Sequence, residues 1–122
     1  SPEMALMQEE TFGPVLPVTI VESVDEAVAL ANTGDFGLSA AVLAGSTAEA
    51  ESVAARLNAG AISINDGALT SMVWDAEKSS FGASGLGPSR MGASGLTRFF
   101  RRRALLVQTG TAAPMAAYAE RG

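Results

Sequence analysis

An α/β fold with parallel strands is what this 122-residue chain predicts, on three observations. Apolar runs at 15–21, 40–43 and 61–65 alternate with two helical patterns at 24–31 and 47–57. Each helical pattern opens on a serine with a glutamate three residues later. The connections are short, and strand–helix–strand–helix–strand order implies parallel strands joined by right-handed crossovers. The expected architecture is therefore a parallel three-layer sheet fragment, β-α-β-α-β. A Gly-rich loop, a short helix and a closing strand follow it.

The elements follow in chain order. Residues 15–21 are apolar without alternation, as in a strand buried on both faces, with Pro17 near an edge, a bulge or the strand's start. Ser23 and Glu26 have capping-box spacing, which starts a helix with Ala27, Val28 and Ala31 on one face. Gly34 is placed to end it in the left-handed conformation. Ala40, Ala41, Val42 and Leu43 form the second strand. Ser46 and Glu49 cap the next helix, where Ala50, Val53, Ala54 and Leu57 make an apolar stripe and Glu49, Glu51 and Arg56 face water. Gly60 ends this helix, and 61–65 is the third strand.

Residues 66–92 break the rhythm. Asp66-Gly67 marks a turn, and Gly82, Gly85, Gly87 and Gly92 free the backbone for positive φ. A long irregular segment inside a compact domain is usually functional. A short helix from Gly95 then places Arg98, Arg101 and Arg102 on one face, joined by Arg103, and 104–107 reads as a strand. The arginines are expected to be solvated or to pair with carboxylates of a neighbouring subunit. The tail, 109–122, is expected to fray, with one or two helical turns at 115–120.

Composition removes several function classes. The chain is 48% apolar and 17% charged, as in a globular protein, and 13 acidic against 8 basic side chains give a net charge of −5. That balance argues against a general nucleic-acid binder. No apolar run approaches the about 20 residues of a membrane helix, and the start lacks the basic region of a signal peptide, so a cytoplasmic protein is expected. Cysteine and histidine are both absent. The chain therefore has no thiolate nucleophile, no imidazole base and no Cys/His metal site.

The candidate site is Glu9-Glu10-Thr11-Phe12-Gly13-Pro14. A carboxylate accepts hydrogen bonds from hydroxyls, and a flat ring packs against a heterocycle. On residue types alone the stretch reads better as a surface turn with two solvated glutamates. It resembles, however, the E-E-x-F-G-P motif of the aldehyde dehydrogenase superfamily. Asn32 with residues 37–40 resembles that family's N-x-x-x-x-G-L-S-A. Ala59-Gly60 with Ile64-Asn65 resembles A-G-x-x-x-I-N, and Ser84-Gly85-Leu86-Gly87 resembles the end of P-F-G-G-x-K-x-S-G-x-G. The first half of that last motif is missing here, which suggests a divergent subgroup.

The resemblance covers roughly residues 4–108 and implies the C-terminal portion of an NAD(P)-dependent enzyme that oxidises an aldehyde to an acid. Its implied layout is 1–95 in the catalytic domain, 96–108 as helix and oligomerisation strand, and 109–122 as tail. The family's second Glu binds the nicotinamide ribose and its Phe packs beside the ring, roles that fall on Glu10 and Phe12. The loop after the I-N strand lines the aldehyde entrance, so Trp74 and Phe81 either face substrate or plug the core or a subunit contact. The cofactor would be NAD or NADP. The partners would be the missing N-terminal part of the enzyme and further copies of it. Aldehyde dehydrogenases attack with a cysteine, so this chain alone is expected to be inactive. The alternative is a stand-alone oligomerisation module. An acyl-CoA-forming or semialdehyde dehydrogenase is not separable from the first reading by these residues.

Overall fold

Two serines start the two longest helices of the computed structural model, which describes residue 1 and residues 3–89, 91–112 and 114–118. Helix α1 (Ala5–Gln8) is a single turn. Helix α2 (Val24–Ala31) begins where Ser23 Oγ accepts the Glu26 N–H at 3.1 Å. The Glu26 carboxylate accepts from the N–H of Glu22 at 2.8 Å, one residue before the cap, and not from Ser23 as a reciprocal box requires. Asn32 ends α2 with φ −95°, and Gly34 does not take the expected left-handed conformation.

A two-stranded sheet follows the predicted parallel order. Strand β1 (Phe36–Gly37) comes first, then β2 (Ala40–Val42), which pairs in parallel with β3 (Ile62–Ile64), Ala40 opposite Ile62 and Val42 opposite Ile64. Helix α3 (Thr47–Ala54) is the crossover and packs on both strands. Ser46 Oγ accepts the Glu49 N–H at 3.2 Å to start it. Of its predicted stripe, Ala50 is fully buried, and Val53, Ala54 and Leu57 are half-buried. The helix stops at Ala54: the N–H groups of Arg56 and Leu57 reach back only three residues, to the carbonyls of Val53 and Ala54. Leu57 therefore sits past the helix, and Gly60 does not end it. Val28, Ala50 and Ser63 are the buried centre; Ser63 Oγ accepts the Thr70 N–H at 3.2 Å.

The sheet is smaller than expected. Residues 15–21 form no strand, and Leu16, Val18 and Ile20 stand at 84%, 79% and 89% exposure. An extended segment becomes a strand only beside a partner, and among the described residues none runs along it. Pro14 and Pro17 also remove two donors. Residues 104–107 likewise form no strand, with Leu105, Leu106 and Val107 exposed. Helix α5 (Gly92–Thr97) ends before the arginines, so Arg98 is its C-cap and no arginine face forms. The exposed Phe99 and Phe100 give the helix nothing to pack against beyond that point.

The glycine-rich region is more regular than expected. Asp66 Oδ1 accepts the N–H groups of Ala68 at 2.6 Å and Leu69 at 3.2 Å, which starts helix α4 (Leu69–Met72). Strands β4 (Ser79–Gly82) and β5 (Gly87–Pro88) then form an antiparallel hairpin, and β4 also pairs with β1. Gly82, Gly85, Gly87 and Gly92 all take positive φ, as the sequence predicts. One 3-10 turn, Met115–Tyr118, falls in the tail; Ala119 and Glu120 of the predicted turn lie outside the described residues. Among the described residues no helix is long and apolar enough to cross a membrane.

Candidate functional site

A cleft of about 410 Å³ opens between the exit of α1, the end of α2, the β1–β2 connection and residues 57–59. Glu9 and Glu10 line it, together with the polar residues Gln8, Asn32, Ser39, Asn58 and Ser84. No donor among the described residues reaches the Glu10 carboxylate, so its oxygens are available to a ligand's hydroxyl groups. The cleft lies at the amino ends of β2 and β3, since residues 38–40 and 57–59 line it.

Two glycines hold its wall. Gly37 donates its N–H to Ser84 Oγ at 3.0 Å and accepts the Gly60 N–H on its carbonyl at 3.1 Å. A Cβ on Gly37 would sit 2.7 Å from the Asn58 carbonyl oxygen and 2.8 Å from Phe81 Cβ. A Cβ on Gly60 would sit 1.6 Å from the Ser79 carbonyl oxygen. Three backbone segments thus cross at a distance only glycine allows. Gly60 serves this crossing and not the end of α3.

Asn32 ties a second wall. Its Nδ2 donates to the Arg56 carbonyl and its Oδ1 accepts the Asn58 N–H, both at 2.8 Å. In the sequence Asn32 and Ser84 stand only as members of family-like motifs, Asn32 as a fold residue, and nothing marks Asn58. A C-capping Asn beside a cleft has no signature in the sequence that separates it from any other.

The four candidates are not brought into one cleft. Glu10 lines the wall, whereas Phe12 stands 93% exposed outside it. Phe81 lies in β4, opposite Gly37, at 41% exposure. Trp74, 65% exposed, follows α4 on the segment that leaves the carboxyl end of β3, and its carbonyl accepts the Gly92 N–H at 2.8 Å. The carboxyl ends of parallel strands are where α/β folds take their ligands. Asn65 turns the chain there with φ 52°, and its Oδ1 accepts the Ala44 N–H at 2.8 Å.

These features define an α/β protein with a polar cleft, a carboxylate on it that has no partner among the described residues, and an aromatic-bearing segment past a parallel strand. The Aldehyde dehydrogenase family model matches residues 1–105. A Mycobacterium tuberculosis protein named as a succinate-semialdehyde dehydrogenase with NADP(+) is 43% identical over 102 residues, which is 81% of this chain and 19% of that protein. The solved structure of PutA from Anabaena variabilis, described as an aldehyde dehydrogenase, is 55% identical with a TM-score of 0.81, over 94% of this chain and 25% of that one. Betaine aldehyde dehydrogenase from Staphylococcus aureus, solved with NAD+, is 33% identical with a TM-score of 0.73, over 81% of this chain and 19% of that one. The chain belongs to the aldehyde dehydrogenase family. It spans 19% of the length of the mycobacterial relative.

Proposed function

We propose that the chain is the C-terminal part of an NAD(P)-dependent aldehyde dehydrogenase that oxidises an aldehyde to a carboxylic acid. The observation that carries this reading is Glu10: it occupies the second acidic position of the E-E-x-F-G-P motif and presents to an open cleft a carboxylate that has no partner among the described residues. A free acceptor fits a pair of ribose hydroxyls, and the exposed Phe12 ring has a face available for a planar heterocycle. When bound, the nicotinamide supplies the two-electron acceptor for aldehyde oxidation. The chain's share is orientation: Glu10 holds the ribose, Phe12 walls the ring, and the segment with Trp74 and Phe81 shapes the aldehyde entrance.

In this reading residues 1–95 belong to the catalytic domain, 96–108 to the oligomer contact and 109–122 to a tail. The exposed apolar side chains at 15–20 and 105–107 support burial against the rest of the enzyme and against a further copy. The nucleophile must come from outside these residues, because they contain no cysteine. The chain alone is therefore inactive, and no aldehyde-dependent NADH formation is expected from it. The same exposed rows favour the second reading, a stand-alone oligomerisation module.

Glu10→Gln in the full-length enzyme separates the two. The cofactor KM rises several-fold while the thermal midpoint stays put. Unchanged KM and turnover in that variant would remove the assignment of Glu10 and favour the module.

A further inference from the structure

The hydrogen bond between Gly37 N–H and Ser84 Oγ joins two segments 47 residues apart. It adds a side-chain tie to the backbone ladder of β1 and β4, in which Phe36 lies opposite Gly82 and Gly37 opposite Phe81. A further bond runs from the Ala83 N–H to the Asp35 carbonyl at 2.8 Å, and any residue but proline could make it. The Ser84 anchor needs a side-chain acceptor at that position. Ser84 is also held in place: its own N–H donates to the Phe81 carbonyl at 3.1 Å, closing the turn that follows β4.

The anchor lies between the two candidate sites. On one side, Gly37 continues into residues 38–40, which wall the cleft that Glu10 and Ser84 share. On the other, Phe81 sits opposite Gly37 in the β1–β4 ladder. Gly37 is buried and packed from below by the Asn58 carbonyl, so the strip has little room to shift toward residues 57–59. The ladder sets the register of the hairpin along β1, and the hydroxyl reinforces it from the turn that follows β4.

We infer that Ser84 is a positioning residue of the enzyme, locking the Phe81 hairpin to the wall of the Glu10 cleft so that aldehyde entrance and cofactor cleft keep one spacing. This rests on the dehydrogenase reading above. Removing the hydroxyl takes one acceptor from the Gly37 N–H and loosens the hold of the hairpin's far end on β1. Both substrates then bind to a site whose two halves are less firmly spaced.

The test compares Ser84→Ala and Ser84→Thr in the full-length enzyme, with Glu10→Gln alongside. Three readouts are taken: amide hydrogen exchange at Gly37, KM for NAD(P)+ and aldehyde, and the thermal midpoint. Ser84→Ala is expected to speed exchange at Gly37 and raise both KM values about tenfold, the scale of one hydrogen bond to a buried donor. Ser84→Thr, which keeps the oxygen, restores both. A lower thermal midpoint with unchanged KM values makes Ser84 merely structural and overturns the inference. So does a Thr variant that behaves like Ala. If Ser84→Ala does not fold, Ser84→Cys offers a weaker acceptor of similar shape; an intermediate KM supports the inference and a wild-type KM overturns it. If Glu10→Gln is silent while Ser84→Ala raises the aldehyde KM, the role of Glu10 falls and that of Ser84 stands. The reverse pattern removes Ser84 alone.

Discussion

The side chain of Asn32 and the backbone of Asn58 are joined at 2.8 Å, Asn58 N–H to Asn32 Oδ1, across 26 residues of chain. The same carboxamide donates to the Arg56 carbonyl, so one side chain satisfies a donor and an acceptor of a single loop. Asparagine suits this task because it carries both functions at the end of a short, stiff stem. Helix α2 and the approach to β3 are held together there, beside the cleft.

Asn32→Ala should therefore cost about 1–3 kcal/mol, since two backbone groups lose partners. Asp25→Ala should cost less, about 0–1 kcal/mol. Asp25 pairs with Arg56 at 2.6 Å, but the two side chains are 85% and 44% exposed. Urea midpoints of both variants, at low and high salt, check the ranking. Only the Asp25 effect should shrink with salt, and equal losses would mean that the Asn32 clamp adds nothing.

Gly60→Ala should be the most damaging added methyl among the glycines described. The new Cβ would lie inside the Ser79 carbonyl group, and the neighbour it meets is backbone that cannot rotate away. Losses of about 3 kcal/mol or more are expected, on the scale of severe overpacking. Circular dichroism melting reads this directly. A melt within a degree or two of wild type would show that the crossing of β4 over residue 60 is wrong.

Leu57→Ala should be milder than a core truncation. A fully buried leucine loses about 2–5 kcal/mol on truncation, but Leu57 is half-buried, past the end of α3 and on the cleft wall. About 1–2 kcal/mol is expected. A loss of the full core size in a denaturant titration would place Leu57 inside the α3 packing after all.

The legible parts of this fold are those with local causes. Ser23 and Ser46 announce α2 and α3 because capping is settled within four residues, and the spacing of Ala50, Val53 and Ala54 reports which face of α3 turns inward. Strands β2 and β3 follow from apolar runs bounded by those helices. The run at 15–21 carries an equally strong signal and forms nothing, because its ladder depends on a neighbour that no local rule supplies. The hairpin of β4 and β5 hides behind serines and glycines, whose turn chemistry resembles that of a loop. The site divides along the same line. A six-residue motif points to Glu10, and Glu9 and Glu10 both line the cleft. Asn32 and Ser84 act on backbone groups 24 to 47 residues distant, and such bonds leave no trace in spacing.

The open row at Leu16, Val18 and Ile20 also governs how this polypeptide behaves as a colloid. Its net charge of −5 repels other copies over a distance set by the ionic atmosphere, about 10 Å at 0.1 M salt. The bare row attracts only on contact. Salt shortens the first force and leaves the second intact, so the isolated chain should stay clear in dilute buffer and turn turbid as salt is added. A surface buried against its proper neighbour would lose that response.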